Sequence, residues 1–250
     1  MLQYFFSENA KIKRTFVKKL MWLAPILVSF LSLFLTMDYF QVDAYNWWYT
    51  SIFPGILSLS CVFLNRVDGS MKNRATIALP VNLRKIWIAK VLVGVKNISF
   101  SCMIIFVIAQ VGIYVFPIDS VSNIPMLDGL AGIIIIIITF MWQVPLCIFL
   151  VSKIGMFPTI ILSVVINFSL GLVAAIEKYW WMSPFSYPAR LMCPILKILP
   201  NGMLAEPGNP TFAPELLDYS VIPLGIIISI MLFLVFTYLT AKWYERQEAI

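Results

Sequence analysis

Long apolar runs separated by short polar segments make up most of this chain, and none of them alternates with the two-residue period of a strand. Six runs reach about the 20 residues that a helix needs to cross the hydrocarbon core of a bilayer. They cover residues 20–37, 48–64, 97–116, 126–151, 157–176 and 221–241. With no strand pattern, closed helices are what satisfies the backbone in lipid, so the pattern predicts an all-α polytopic membrane protein with six transmembrane helices. The third span is drawn after Lys96 because a lysine near a span centre opposes insertion by about 2.5–3.5 kcal/mol. Residues 86–96 are then expected at the membrane interface.

Ahead of the first span, Leu2, Phe5, Phe6, Ile12, Phe16 and Leu20 recur at roughly helical spacing, with basic residues between them from Lys11 onward. Residues 1–19 therefore read as an interfacial amphipathic helix, with an irregular charged anchor as the alternative. The apolar run that follows has no small-residue cleavage site, so it is read as a retained helix. Asn46, Trp47, Trp48 and Tyr49 fall in a short loop before the second span, where tandem aromatics form an interfacial belt more often than a ligand contact. Pro54 and Gly55 predict a kink in that span. The fourth and fifth spans are joined only by residues 152–156 and form a tight hairpin. Between the fifth and sixth spans, residues 177–220 carry Pro184, Pro188, Pro194, Pro200, Pro207, Pro210 and Pro214, a density that breaks helix into short pieces. The first half of this segment is apolar enough to pack on the bundle, as a lid or as a substrate surface. No repeat or soluble insertion divides residues 1–250, which read as a single domain.

Composition agrees with the pattern. The chain is 61% hydrophobic, against about 45–50% for an ordinary soluble domain. Charge then gives orientation. If both ends are cytoplasmic, all of the 18 Lys and Arg except Lys178, Arg190 and Lys197 lie inside. This asymmetry predicts an N-in, C-in topology. Asp38, Asp43, Asp119, Asp128, Glu177, Glu206, Glu215 and Asp218 face the other way, so acids outnumber bases outside. The isoelectric point near 9.1 is this asymmetry summed over one chain, and no nucleic-acid partner is inferred from it.

Several chemistries find no residues to carry them. There is no His, and none of the 11 Gly is followed by Lys, so the phosphate loop of nucleotide-binding proteins is missing. Cys61, Cys102, Cys147 and Cys193 stand singly, which suggests neither a disulfide framework nor a metal site. The spans hold Gln110, Thr139, Gln143, Ser163 and Asn167 but no central ionisable residue, which disfavours ion-coupled transport. Gln110 and Gln143 are expected to hydrogen-bond between helices. No catalytic residue, metal ligand or cofactor is assigned to this chain.

The segment between the second and third spans is the most distinctive. It reads MKNRATIALPVNLRKIWIAK from Met71 to Lys90. Leu79-Pro80 ends one helical piece, and Asn82 is placed to cap a following helix with Leu83, Ile86, Trp87 and Val91 on its apolar side. Arg84, Lys85 and Lys90 are expected to face headgroups or a partner.

Within it, LPVNLRKIWIAK resembles the segment after the second span of ABC type-2 permeases, which in that family lies beside the nucleotide-binding subunit and transmits its movement. The resemblance implies coupling roles for Leu79, Pro80, Arg84, Lys85, Trp87 and Lys90, within a cytoplasmic coupling region over residues 65–96. KRTFVKKL, YNWWYTSIFPG, WQVPLCIFL and WWMSPFSYPARLMCPILKILPNG resemble the E-type permease subunit of lantibiotic-immunity ABC transporters over nearly the whole length. Residues 203–220 match no pattern of that family. The resemblance implies a bacterial cell-membrane complex of two permease chains, most simply different ones, and two copies of an ATPase subunit. ATP and Mg would be bound by that partner, and a cationic lantibiotic peptide would be expelled to give self-immunity. Candidate substrate-facing residues are then Asp38, Asp43, Trp47, Trp48, Glu177, Arg190 and Glu206. For Arg190, whose neighbours are apolar or Pro, a structural hold by a carboxylate or by helix carbonyls is the stronger expectation. A permease for another antibiotic, a lipid or an ion, and a membrane protein that sequesters the peptide without transport, are the alternatives.

Overall fold

The computed structural model describes residues 1–13, 15–69, 80–115 and 123–247, with side chains of 67–69 left aside. Its helices are α1 (Leu2–Lys11), α2 (Phe16–Leu35), α3 (Phe40–Trp47), α4 (Phe53–Gly69), α5 (Leu83–Val115), α6 (Met126–Met141), α7 (Gln143–Ile154), α8 (Met156–Val173), α9 (Tyr187–Leu196) and α10 (Val221–Glu245). Among the described residues six stretches are long and apolar enough to span a membrane: Phe16–Leu35, Met37–Arg66, Leu83–Val115, Met126–Ile154, Met156–Ile176 and Val221–Glu245. The protein is all-helical and multi-pass, and among the described residues the β structure is a lone bridge between Ile198 and Leu204.

α5 is the axis of the bundle. At 33 residues it is about 50 Å long, and it packs against α1, α2, α3, α4, α6, α7 and α10. It begins at Leu83, well before Lys96, so the cost of its lysines does not stop the helix. Lys96 instead donates to Asn9 Oδ1 on α1, and Lys90 is turned into the protein.

Prolines set the irregularities of three spans, each by a different route. Pro25 lies inside α2 and cannot donate to the carbonyl of Met21. Ser101 Oγ on α5 donates to that carbonyl at 3.0 Å, so the lost bond becomes a contact between spans. Pro54 follows a π turn over Trp48–Ile52, in which the N–H of Phe53 reaches back to Trp48 O. Pro145 sits one turn beyond a break at Trp142, so the fourth span is two helices, α6 and α7, and not the continuous one the sequence predicts. Between α7 and α8 the hairpin turns on Gly155 alone, whose φ of 86° is in the left-handed region that a side chain disfavours.

Two expectations are corrected here. Asn46 to Tyr49 are not a loop: α3 and the π turn carry them into the second span, with Trp48 and Tyr49 buried in the main core. Trp48 Nε1–H donates to Cys102 Sγ at 3.5 Å, and its ring packs on Phe53 at 5.1 Å, which accounts for an indole in the interior. The amino-terminal segment is not one helix to residue 19. α1 stops at Lys11, and α2 starts on a new axis at Phe16. Phe5 and Ile12 pack with Leu64 and Val93, while Leu2, Phe6 and Phe16 stay exposed.

Candidate functional site

The residues singled out by sequence fall at opposite ends of the bundle. The end that carries the basic residues includes the start of α5. Pro80 is exposed in a bend, and Asn82 Oδ1 accepts the N–H of Lys85 at 2.9 Å, the capping bond expected at this position. Arg84 and Lys85 are exposed, with the Arg84 guanidinium 5.2 Å from the centre of the Tyr238 ring on α10. Leu79 lies outside the described residues.

One turn further on, the side chains point inward. Trp87 is buried, and its Nε1–H donates to Thr240 Oγ1 at 2.8 Å. Its ring lies 4.9 Å from Tyr244 and edge-on to Trp243 at 5.6 Å. Trp243 in turn meets Phe149 of α7 edge-on at 4.8 Å and carries the Lys153 ammonium over its face at 5.0 Å. Trp87 is therefore a packed ring within the bundle, not one exposed toward headgroups. It ties the start of the third span to the ends of the fourth and sixth. Lys90, expected to face headgroups or a partner, is only 1% exposed. It lies three residues beyond Trp87 and so shares its inward face.

The opposite end is capped by residues 177–220. α9 is buried along its whole length against α6, α8 and α10, so it is part of the core and not a loose lid. Ser186 Oγ donates to Trp180 O at 2.9 Å and Tyr187 Oη to Trp181 O at 2.5 Å, fixing the turns before it. Arg190 donates from Nη1 to Leu216 O at 2.7 Å and from Nη2 to Glu215 O at 2.6 Å, and lies 5.9 Å over the Trp180 ring. Its fork thus holds the Pro214–Leu217 turn through backbone carbonyls. Burial pushes the Cys193 thiol and the Tyr187 phenol each up to about 12, so both stay protonated at neutral pH. At the far end of the segment, Asp218 accepts from the Ser220 N–H and hydroxyl, which holds its carboxyl below the usual range.

After α9 the chain turns through Lys197 and forms a narrow arm, closed by Leu199 N–H to Met203 O at 2.8 Å and Ala205 N–H to Lys197 O at 2.9 Å. Gly202 is at the tip with φ 88°, and a Cβ there would lie 3.1 Å from Asn46 Oδ1, so glycine both makes the turn and lets the arm seat on α3. Between arm and α3 lies a cleft of about 470 Å³ whose walls include Asp43, Asn46, Trp47, Asn201, Glu206 and Asn209. On the other side of the arm a smaller cleft of about 200 Å³ is lined by Asp128, Lys197 and, again, Glu206.

The fold thus brings three of the candidate substrate-facing residues together: Asp43, Trp47 and Glu206. Asp38 and Glu177 are exposed but line neither cleft, and Trp48 and Arg190 are buried. Asn201 and Asn209 were not singled out by the sequence. The Pro-Asn-Gly run at 200–202 signals a turn, and nothing in it foretells what the turn rests on. Two carboxylates, an indole and several amides in an open cleft suit the cationic or amide side chains of a ligand. The volume suits a few side chains rather than a large molecule. Among the described residues no group of three metal-ligating side chains converges. Comparison with known protein families, with curated proteins and with solved structures finds no match to this chain.

Proposed function

We propose that this chain is a permease subunit of an ATP-driven ABC exporter in a bacterial cell membrane, expelling a cationic lantibiotic peptide and so protecting its producer. The observation that carries this reading is the geometry of the segment resembling the permease coupling region. From Pro80 onward this segment enters α5 directly, leaving Arg84 and Lys85 exposed at its tip while Trp87 is anchored to α10 and, through Trp243, to α7. A push on the exposed tip by an ATPase subunit would be carried by a rigid helix to three spans at once. In this reading the ends of the chain are cytoplasmic, α1 lies along the inner leaflet, two ATPase copies and a second permease complete the complex, and ATP and Mg reside on the ATPase. The clefts flanked by Asp43, Glu206 and Asp128 would then face outward, where a cationic peptide departs. Exposed charges are screened beyond about 8 Å at physiological salt, so this attraction acts only at short range.

The test is protection of a peptide-sensitive cell that expresses this chain with its permease and ATPase partners, comparing intact ATPase with a variant lacking the phosphate-loop lysine. Protection that needs the intact ATPase is the expected result. Equal protection with either ATPase would mean that the chain shields or sequesters the peptide, and would remove the export reading.

A further inference from the structure

At the basic end of the bundle α2 and α5 frame a cleft of about 260 Å³ lined by Lys18, Met21, Trp22, Lys96, Asn97 and Phe100. We propose that this cleft binds the headgroup of an anionic phospholipid, whose acyl chain runs down the groove over Trp22 and Phe100.

Three features converge on that chemistry. Lys18 and Lys96 line the same small cleft, where their like charges repel, and among the described residues no carboxylate lines it to offset them. An anion between two ammonium groups relieves that repulsion. Lys96 is held in place by its bond to Asn9 of α1, so the positive site is built before the ligand arrives. Asn97 is the second, independent sign: it lines the cleft, is 5% exposed, and its amide nitrogen is buried with no hydrogen-bond partner. A buried donor of this kind costs about 1–3 kcal/mol when left unpaired, and a turn of the side chain toward the cleft would pair it with a phosphate oxygen. Below the charged rim, Trp22 and Phe100 meet edge-on at 5.2 Å and remain 54% and 43% exposed. They open the cleft toward lipid rather than water, which selects a membrane-borne phosphate over a soluble one. Basic pockets between spans are a recognised setting for anionic headgroups. The inference needs only that these helices cross a membrane and is independent of what the protein transports.

The full chain purified in dodecyl maltoside, offered dioleoyl-phosphatidylglycerol in competition with dioleoyl-phosphatidylcholine and read by native mass spectrometry, tests it directly. The wild-type chain is expected to retain the anionic lipid preferentially. K18Q with K96Q should lower that preference about 10-fold or more, whereas K19Q with K85Q, at the same end but outside the cleft, should change it less than about threefold. Asn97→Leu should lower it about threefold. Equal losses in both lysine pairs would reduce the effect to diffuse surface charge, and no loss in K18Q with K96Q would overturn the site. Displacement of the lipid by millimolar inorganic phosphate would make it a soluble-anion site instead. Full preference in Asn97→Leu would take the amide out of it.

Discussion

Gln143 and Asn167 face one another in the apolar interior and exchange two hydrogen bonds, each of 2.9 Å. Asn167 Nδ2 also donates to Ser163 O at 2.8 Å, so Asn167→Leu leaves the Gln143 amide buried and unpaired, whereas Gln143→Leu strands only the Asn167 oxygen. Gln143→Leu and Asn167→Leu are each expected to cost about 1–3 kcal/mol, and the double variant less than their sum, with a coupling of about 0.5–2 kcal/mol. Unfolding in mixed detergent micelles measures all four corners of the cycle; simple additivity would mean that the two amides do not act as a pair. Arg190 makes a comparable argument with a charge. Arg190→Ala strands the carbonyls of Glu215 and Leu216 and should destabilise the cap by about 2–3 kcal/mol, seen as faster proteolysis within 206–217. Arg190→Lys keeps the charge but not the fork, and should recover only part of the loss. An Arg190→Ala chain with an unchanged digestion pattern would rule out the structural role.

At the scale of elements, the spans were legible in sequence because twenty apolar residues in a row admit few other structures. Their irregularities were less so. The kink expected near Pro54 and Gly55 is a π turn just before them, and the break at Trp142 arises from Pro145, whose missing N–H the periodicity does not display. Nor did sequence show that Gln41 would clamp two spans, its amide donating to Ala109 O at 3.0 Å and accepting from the Ile124 N–H at 2.7 Å. Hydropathy places Gln41 in the connection between the first two spans, and only the partners that the fold brings to it explain its burial. The same holds for Trp48 and Trp87. An aromatic residue near the end of an apolar run suits an interface belt, and it becomes a core residue only once a third helix covers it. Helix contacts at small residues were equally hidden. Gly94 on α5 has room for no side chain: a Cβ there would lie 2.6 Å from Val144 Cγ1 on α7 and 3.3 Å from Leu64 Cδ1 on α4. Gly94→Ala should therefore push α5 off both neighbours, lowering stability by about 1–3 kcal/mol despite alanine's better helix propensity. A rise in the thermal unfolding midpoint would show that the contact relaxes without cost.

For the whole molecule, the distribution of charge makes the most decisive claim. The ends of the spans near the basic residues and the ends near residues 177–220 are well separated, so each surface carries its own label. The four native cysteines are all buried and give little background to thiol chemistry. Single cysteines at Lys178 and Asn201, both exposed on the capped end, should react with a membrane-impermeant maleimide in intact cells. Cysteines at Lys85 and Lys242, exposed at the basic end, should react only after the membrane is opened. This is the outcome that the excess of lysine and arginine at that end requires. The reverse pattern would turn the Asp43 and Glu206 cleft toward the cytoplasm and present Arg84 and Lys85 to the outside, where no ATPase can reach them. Export driven through α5 would then be excluded by geometry alone, whereas the phospholipid cleft between α2 and α5 would simply belong to the other leaflet. Orientation therefore separates the two proposals, and it is tested without knowing the peptide.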